Sequence, residues 1–128
     1  MKRNRMILLV VLALVVIVGS YTFIAINSHD TMISVTSGST LKNGDMITMI
    51  LKDEYRNVYP NEVINVKILD ETGWAHYYSA TTDENGQASV LLEGLDNGNY
   101  SVHANFNGTM FLHKSKSVTN LEIDDGYN

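Results

Sequence analysis

The four histidines are the residues in this 128-residue chain best suited to metal chemistry, because neutral imidazole ligates zinc, copper or nickel. His29 lies in a short polar stretch and is expected to be solvated. His103 and His113 flank Asn107-Gly108. A three-residue loop Phe106-Asn107-Gly108 with Gly108 left-handed turns Met110 and Leu112 to the core and both histidines outward. A two-residue type I′ turn at Asn107-Gly108 shifts the register by one and separates them onto opposite faces. Neither register supplies the three or four ligands of a specific site, so no metal and no cofactor are expected. Trp74, His76 and Tyr78 share one face of a strand, as a platform for stacking on a sugar or as core. A loop Glu71-Thr72-Gly73 with Gly73 left-handed pairs Asp70 with Trp74 and sets Ile68 and Val66 opposite His76 and Tyr78, which favours core, with Tyr77 outward.

Acidic residues fall in turns, at Asp53-Glu54, Asp70-Glu71, Asp83-Glu84, Asp96 and Asp124-Asp125, where carboxylates usually serve turn geometry. They do not follow the spacing of a calcium loop. No glycine-rich phosphate loop opens a helix and no serine sits in a nucleophile elbow, so catalysis has no candidate residues and the chain is expected not to be an enzyme. Asn99-Tyr100-Ser101 and Asn107-Gly108-Thr109 are sequons that mark Asn99 and Asn107 as glycosylation acceptors.

Lys2, Arg3 and Arg5 precede the apolar run Met6 to Ile26, and no further charge appears before Asp30. A helix of that length spans about 31 Å, close to a hydrocarbon core of about 30 Å. The charge asymmetry puts residues 1–5 in the cytoplasm as a stub, 6–26 across the membrane as a signal anchor, and the rest outside. The competing reading is a secretory signal cleaved after Val18-Gly19-Ser20, which would release the body. From Asp30 onward the chain carries 6 Lys and Arg against 14 Asp and Glu. That balance excludes nucleic acid as a partner. The absence of cysteine excludes a disulfide framework, a Cys-ligated zinc site and a thiol nucleophile.

The elements that must position these residues are strands. Residues 27–40 read as a polar spacer that can continue as a first strand. From Leu41, β-branched and aromatic runs alternate with Asn, Asp and Gly clusters, and no apolar 3.6-residue period of helical length occurs. Strands are expected near 31–36, 46–52, 63–70, 74–81, 87–92, 99–106, 109–114 and 117–123, with 46–52 central and covered on both sides. Tyr100, Val102, Ala104 and Phe106 alternate with Asn99, Ser101, His103 and Asn105, which gives one apolar face and one wet one. The fold class is all-β, a single sandwich of seven to eight strands over 41–123 with a tail at 124–128.

Three stretches together carry a family resemblance. Lys52-Asp53 through Asn57-Val58 to Val63, the turn Thr82-Asp83-Glu84-Asn85-Gly86-Gln87-Ala88, and Leu95-Asp96-Asn97-Gly98-Asn99-Tyr100-Ser101-Val102 resemble bacterial Ig-like domains of the invasin and intimin type. They are similar, more closely, to the Ig-like repeats of adhesin-like surface proteins of methanogenic archaea. Arg56 stands where the first turn of that pattern usually has glycine, and Pro60 comes late. Asp83 suits an Asx-turn closed by Gly86, and Tyr100, after a tight turn at Gly98, suits a tyrosine corner.

The resemblance implies a single-pass cell-surface protein whose Ig-like module is non-catalytic and adhesin-like, with an unidentified protein or glycan as partner. An accessory subunit docking on a larger envelope complex and a glycan-binding module are the other readings. An exposed apolar patch would favour docking, and a polar face with an aromatic cleft would favour glycan. Protease added to intact cells is expected to remove an epitope fused after Asn128. Protection of that epitope would reverse the orientation, and a mature N-terminus near Tyr21 would identify a cleaved signal.

Overall fold

The N-terminal run has no polar stripe to pack against a core, and it forms one uninterrupted helix, α1 (Lys2–Asn27). Within it, Arg3–Thr22 has a mean hydropathy of 2.3 and none of it is buried, so this helix is long and apolar enough to cross a membrane. Its two hydroxyls are turned back onto the helix, Ser20 Oγ donating to the Val16 carbonyl at 2.8 Å and Thr22 Oγ1 to Val18 at 2.9 Å. That pairing removes the cost of carrying them in an apolar surrounding. The computed structural model describes residues 2–126, and side chains for all of these except Lys2 and residues 23–27. The outermost residue of the expected stub, Met1, and the last two of the expected tail, Tyr127 and Asn128, lie outside the described residues.

The rest is a two-layer β-sandwich. Strands β1 (Thr31–Val35), β3 (Met46–Asp53) and β6 (Gln87–Leu91) form the smaller sheet in the order β1-β3-β6. Strands β2 (Thr40–Leu41), β8 (Ser115–Ile123), β7 (Gly98–Phe106), β4 (Val63–Asp70) and β5 (Ala75–Thr81) form the larger in the order β2-β8-β7-β4-β5. Only β2 runs parallel to its neighbour, with Thr40 opposite Glu122. The start of the sandwich is thus divided between the two sheets, as Ig-like partitions allow. Strand period 2 builds the core: Ile64, Val66 and Ile68 point inward from β4 while Asn65 and Lys67 do not, and Tyr100, Val102, Ala104 and Phe106 do the same from β7.

Two sequence expectations are corrected. Strand β3 is central, but only Ile47, Met49, Leu51 and Asp53 are buried, and Thr48, Ile50 and Lys52 are half-exposed, because no third layer covers the small sheet. Residues 109–114 form no strand. β7 pairs directly with β8, Phe106 opposite Ser115, and 107–114 loops out between them. Leu112 alone of that loop is buried, while Met110 is exposed. Within residues 27–40 the possible first strand is present as β1. β1 is an edge of the small sheet, and the chain enters the fold already at His29, whose N–H donates to the Phe111 carbonyl and whose carbonyl accepts from His113 N–H.

Three loops beginning Asp-Glu share one geometry: Asp53 to Asn57, Asp70 to Trp74 and Asp83 to Gln87. In each, the aspartate Oδ1 accepts the N–H groups two and four residues on, at 2.8–3.0 Å. The fourth residue's N–H returns to the aspartate carbonyl at 2.9–3.1 Å. That residue has positive φ, 87° at Gly73 and 72° at Gly86, as the expected loops require. At the first loop the same place is held by Arg56 at φ 68°, a left-handed residue with a Cβ.

This shared geometry separates backbone strain from clash. A Cβ at Gly73 meets nothing within 4 Å, whereas one at Gly86 would lie 2.7 Å from Val58 Cβ. Gly73→Ala is expected to cost about 1–2 kcal/mol, the left-handed penalty alone. Gly86→Ala is expected to cost about 2–5 kcal/mol, because overpacking is added to the strain. Arg56→Gly should raise the urea midpoint of unfolding, since it removes strain without removing a hydrogen bond. Equal midpoints for the two alanine variants would show that the loops do not tolerate a Cβ for reasons other than these.

Candidate binding face

No further layer packs on the larger sheet among the described residues, so it turns an extended outer face to solvent. Its middle rungs are read from the register. Tyr77, Lys67, His103 and Val118 lie side by side, and the next rung toward the α1 end is Ser79, Asn65, Asn105 and Lys116. Asn65 and Lys116 are exposed, Tyr77 is 77% exposed, and Lys67, His103 and Asn105 are half-buried along their stems. A groove of about 700 Å³ runs past Asn65, Asn105, Asn107, Lys114 and Lys116. A second, of about 380 Å³, lies between Tyr77 and the same Asn65 and Asn105. The two grooves adjoin at those two amides and together are called the furrow.

Its chemistry differs from that of the rest of the domain. The two rungs and the groove hold Lys67, Lys114 and Lys116 and no carboxylate, on a body with more than twice as many acids as bases. The side chains of Asn65, Asn105, Lys67 and Lys116 make no hydrogen bond or ion pair among the described residues. By contrast, Asn43 is fully engaged, its amide spanning the Leu95 backbone and the Asp125 carboxylate at 2.7–3.0 Å. The arrangement can present three ammonium groups, free amides and one aromatic ring to an extended ligand.

The residues singled out in the sequence are mostly elsewhere. Of the four histidines, His103 alone joins the face, 3.3 Å from Ser101 Oγ, together with Tyr77 and Asn107. His113 Nδ1 lies 2.6 Å from Asp30 Oδ1 and His29 Nδ1 3.0 Å from Glu54 Oε1, both at the α1 end. No group of three or more His, Cys, Asp or Glu among the described residues is arranged to hold a metal. The hairpin assumed to join His103 and His113 does not exist.

Trp74 is 69% exposed rather than core, and His76 and Tyr78 are half-buried. The expected register is present, Ile68 opposite His76 and Val66 opposite Tyr78. However, β5 is the outermost strand and nothing covers its far end. Tyr100 is buried with its hydroxyl donating to the Asp96 carbonyl at 2.6 Å, four residues upstream, and Gly98 opens its strand with φ 150°. Asn99 is exposed and donates to Glu71 Oε1 at 3.1 Å, and Asn107 is exposed at the mouth of the groove.

The most perturbed titratable group lies away from the furrow. Asp53 is 1% exposed. Enclosure alone would raise its pKa, but hydrogen bonds from the Tyr59 hydroxyl, the Asn57 backbone and side chain and the Tyr55 N–H reverse this and hold it at about 2. Burial pushes the Tyr59 phenol up to about 12, and the carboxylate 2.5 Å away adds to the shift. Buried Thr82 locks the same corner, donating to the Tyr59 carbonyl and accepting from Glu62 N–H. Every donor and acceptor here is used internally, so the cluster closes a loop and offers nothing to a substrate. Asp53 was read in the sequence only as a turn acid, and neither Tyr59 nor Thr82 carries a local signal.

No family model matches the chain, and no curated protein matches it. Among solved structures it is similar to a tetra-tandem repeat in the extending region of a large adhesion protein, with a TM-score of 0.51 at 19% identity. The match covers 76% of this chain and 24% of that one, so this chain corresponds to about a quarter of the structure it resembles. The likeness establishes the fold.

Asp53 sets an acid dependence. Its folded pKa of about 2 lies below its ordinary value of 3.8, so its contribution is complete above about pH 4 and is lost as pH falls toward 2. Asp70, held low chiefly by the Thr72 hydroxyl, acts in the same direction. The urea midpoint is expected to fall across that window. Asp53→Asn should lower it at pH 7 and flatten, without abolishing, the fall. An unchanged slope in the variant would show that Asp53 titrates normally.

Proposed function

We propose that this chain is a membrane-anchored, non-catalytic surface module of adhesin-like type that binds an anionic glycan of the cell envelope along the outer face of its larger sheet. The observation that carries the reading is the row of unengaged amides and lysines, with Tyr77 at one end, on an otherwise acidic domain. Amide groups pair with vicinal sugar hydroxyls, an exposed ring stacks on a sugar face, and lysines attract carboxylate or phosphate substituents without needing a deep pocket. The open furrow suits a chain rather than a small molecule, whose sites are concave and mostly apolar. The adhesion-protein neighbour is compatible with a surface role, and α1 supplies an anchor by length and composition.

The second reading, an accessory subunit docking on a larger envelope complex, draws on the exposed apolar residues Met46 and Leu91, which are directly opposite each other on the small sheet. Titration calorimetry of the detergent-solubilised chain with polygalacturonate oligomers and with neutral dextran decides between them. Binding of the acidic polymer only is expected, weakening as salt rises, and Lys67→Ala, Lys116→Ala or Tyr77→Ala should each reduce it severalfold with unchanged melting. Equal binding of neutral dextran, or acidic binding indifferent to all three substitutions, would overturn the glycan reading. Loss of co-purifying protein on Met46→Ser with Leu91→Ser would support the docking subunit.

A further inference from the structure

The two ends of the sandwich differ in charge and in exposed apolar surface. The end remote from α1, formed by the loops around residues 36–45, 70–74, 91–98 and 123–126, holds seven carboxylates and one lysine, Lys42. The end next to α1, formed by residues 28–30, 53–62, 81–87 and 107–114 with the adjoining strand ends, holds six carboxylates and the four basic residues Lys52, Arg56, Lys114 and Lys116. This near end also shows Tyr55 at 71%, Met110 at 65% and Phe111 at 37% exposure.

The connection to α1 fixes where that end lies. One residue, Ser28, separates the last helical residue, Asn27, from His29, which is bonded through both its N–H and its carbonyl to the 107–114 loop. Consecutive Cα atoms are about 3.8 Å apart, so His29 lies within roughly 8 Å of the helix end. The Phe111 carbonyl is 2.8 Å beyond its nitrogen. A bilayer's headgroup layer is about 5–8 Å deep on each side. With Ile26 at the hydrocarbon boundary, His29 lies at most three Cα steps, about 11 Å, from it, which keeps the loop carrying Met110 and Phe111 in or beside the headgroup layer. Its own closure, Thr109 N–H to the Leu112 carbonyl at 2.8 Å, holds the two apolar side chains at its tip.

We propose that the near end is a second membrane contact, in which Met110 and Phe111, with Tyr55 beside them, seat in the headgroup layer of the membrane that α1 crosses. The strongly acidic far end then points away from the lipid phosphates. This rests on the anchor reading. It adjoins the glycan face, whose groove is lined at this end by Asn107 and Lys114 of the same loop, but it uses different side chains, Met110, Phe111 and Tyr55.

The chain has no cysteine, so a single introduced thiol can be labelled without background. Full-length Met110→Cys and Glu93→Cys proteins, labelled with the environment-sensitive fluorophore NBD, are reconstituted in phosphatidylcholine and phosphatidylglycerol vesicles. Both positions are exposed, so the label should not unfold the domain, and Trp74 emission checks this. The probe at 110 is expected to emit at shorter wavelength, to be quenched by nitroxide-bearing lipid, and to be shielded from iodide severalfold relative to the probe at 93. A probe at 110 as open to iodide as that at 93, in a chain that resists alkaline extraction, overturns the lipid contact alone. Release of the chain by alkali overturns the anchor reading and the contact with it. Shielding that disappears on diluting the protein with lipid assigns the loop to a contact between copies and also overturns the proposal.

Discussion

The constraint on which this domain depends is the closing of its loops without a covalent link. With no cysteine to bridge them, the loops are fixed by carboxylates that accept backbone N–H groups. Asp53, Asp70 and Asp83 do this in identical fashion, and Asp125 does a related job by accepting the N–H and side chain of Asn43. An aspartate in this role satisfies donors that would otherwise be left without partners where strands end, and it imposes one loop length and one hairpin register. The acidity of the chain is in large part a consequence of that device. Its carboxylates are gathered at the two ends of the sandwich, and the middle rungs of the larger sheet are left to amides and lysines.

A second consequence follows from the unequal sheets. Three strands cover the middle of five, so the core is deepest under β7 and β4, where Val102, Ala104, Ile64 and Ile68 are almost wholly buried. Toward β5 the cover runs out. Tyr78 and His76 are half-exposed and Trp74 is more exposed still, although all three have the inward parity. Parity decides which way a side chain points. Whether something meets it there depends on the strand count of the opposite layer, a long-range property.

The same distinction explains what could be read from the sequence. The apolar helix, the strands with clean alternation, the loop at Glu71-Thr72-Gly73, the Asx-turn at Asp83 and the corner at Tyr100 are local patterns, and each was legible. Arg56 was legible as an anomaly, because a residue in a glycine's place forecasts a strained backbone. What was missed needed pairing information. The apolar residues of 109–114 suggested a strand, but β7 had already found its partner in β8, and the segment was left to loop out and bind His29. The two-residue strand β2 is too short to show a period. The furrow was invisible because Asn65 and Lys67 on one strand, Asn105 on another and Lys116 on a third meet only through register, although each stood at an outward position of a strand already recognised or close to one.

The orientation of the domain narrows what such a face can meet. Its strands run from the α1 end to the acidic end, and a nine-residue strand is about 30 Å long. With the near end at the bilayer as proposed, the furrow would face sideways along the membrane, within about that distance of it. A surface so placed cannot contact a distant cell directly. It can reach a polymer that lies close to the membrane, and an acidic glycan chain running parallel to the bilayer would meet the lysines and amides along the furrow before it met the repelling carboxylates at the tip. On the proposed anchorage, the short tether, sideways face and acidic tip would favour a partner within the protein's own envelope over one on another surface, through geometry and charge that are independent of the adhesion-protein likeness.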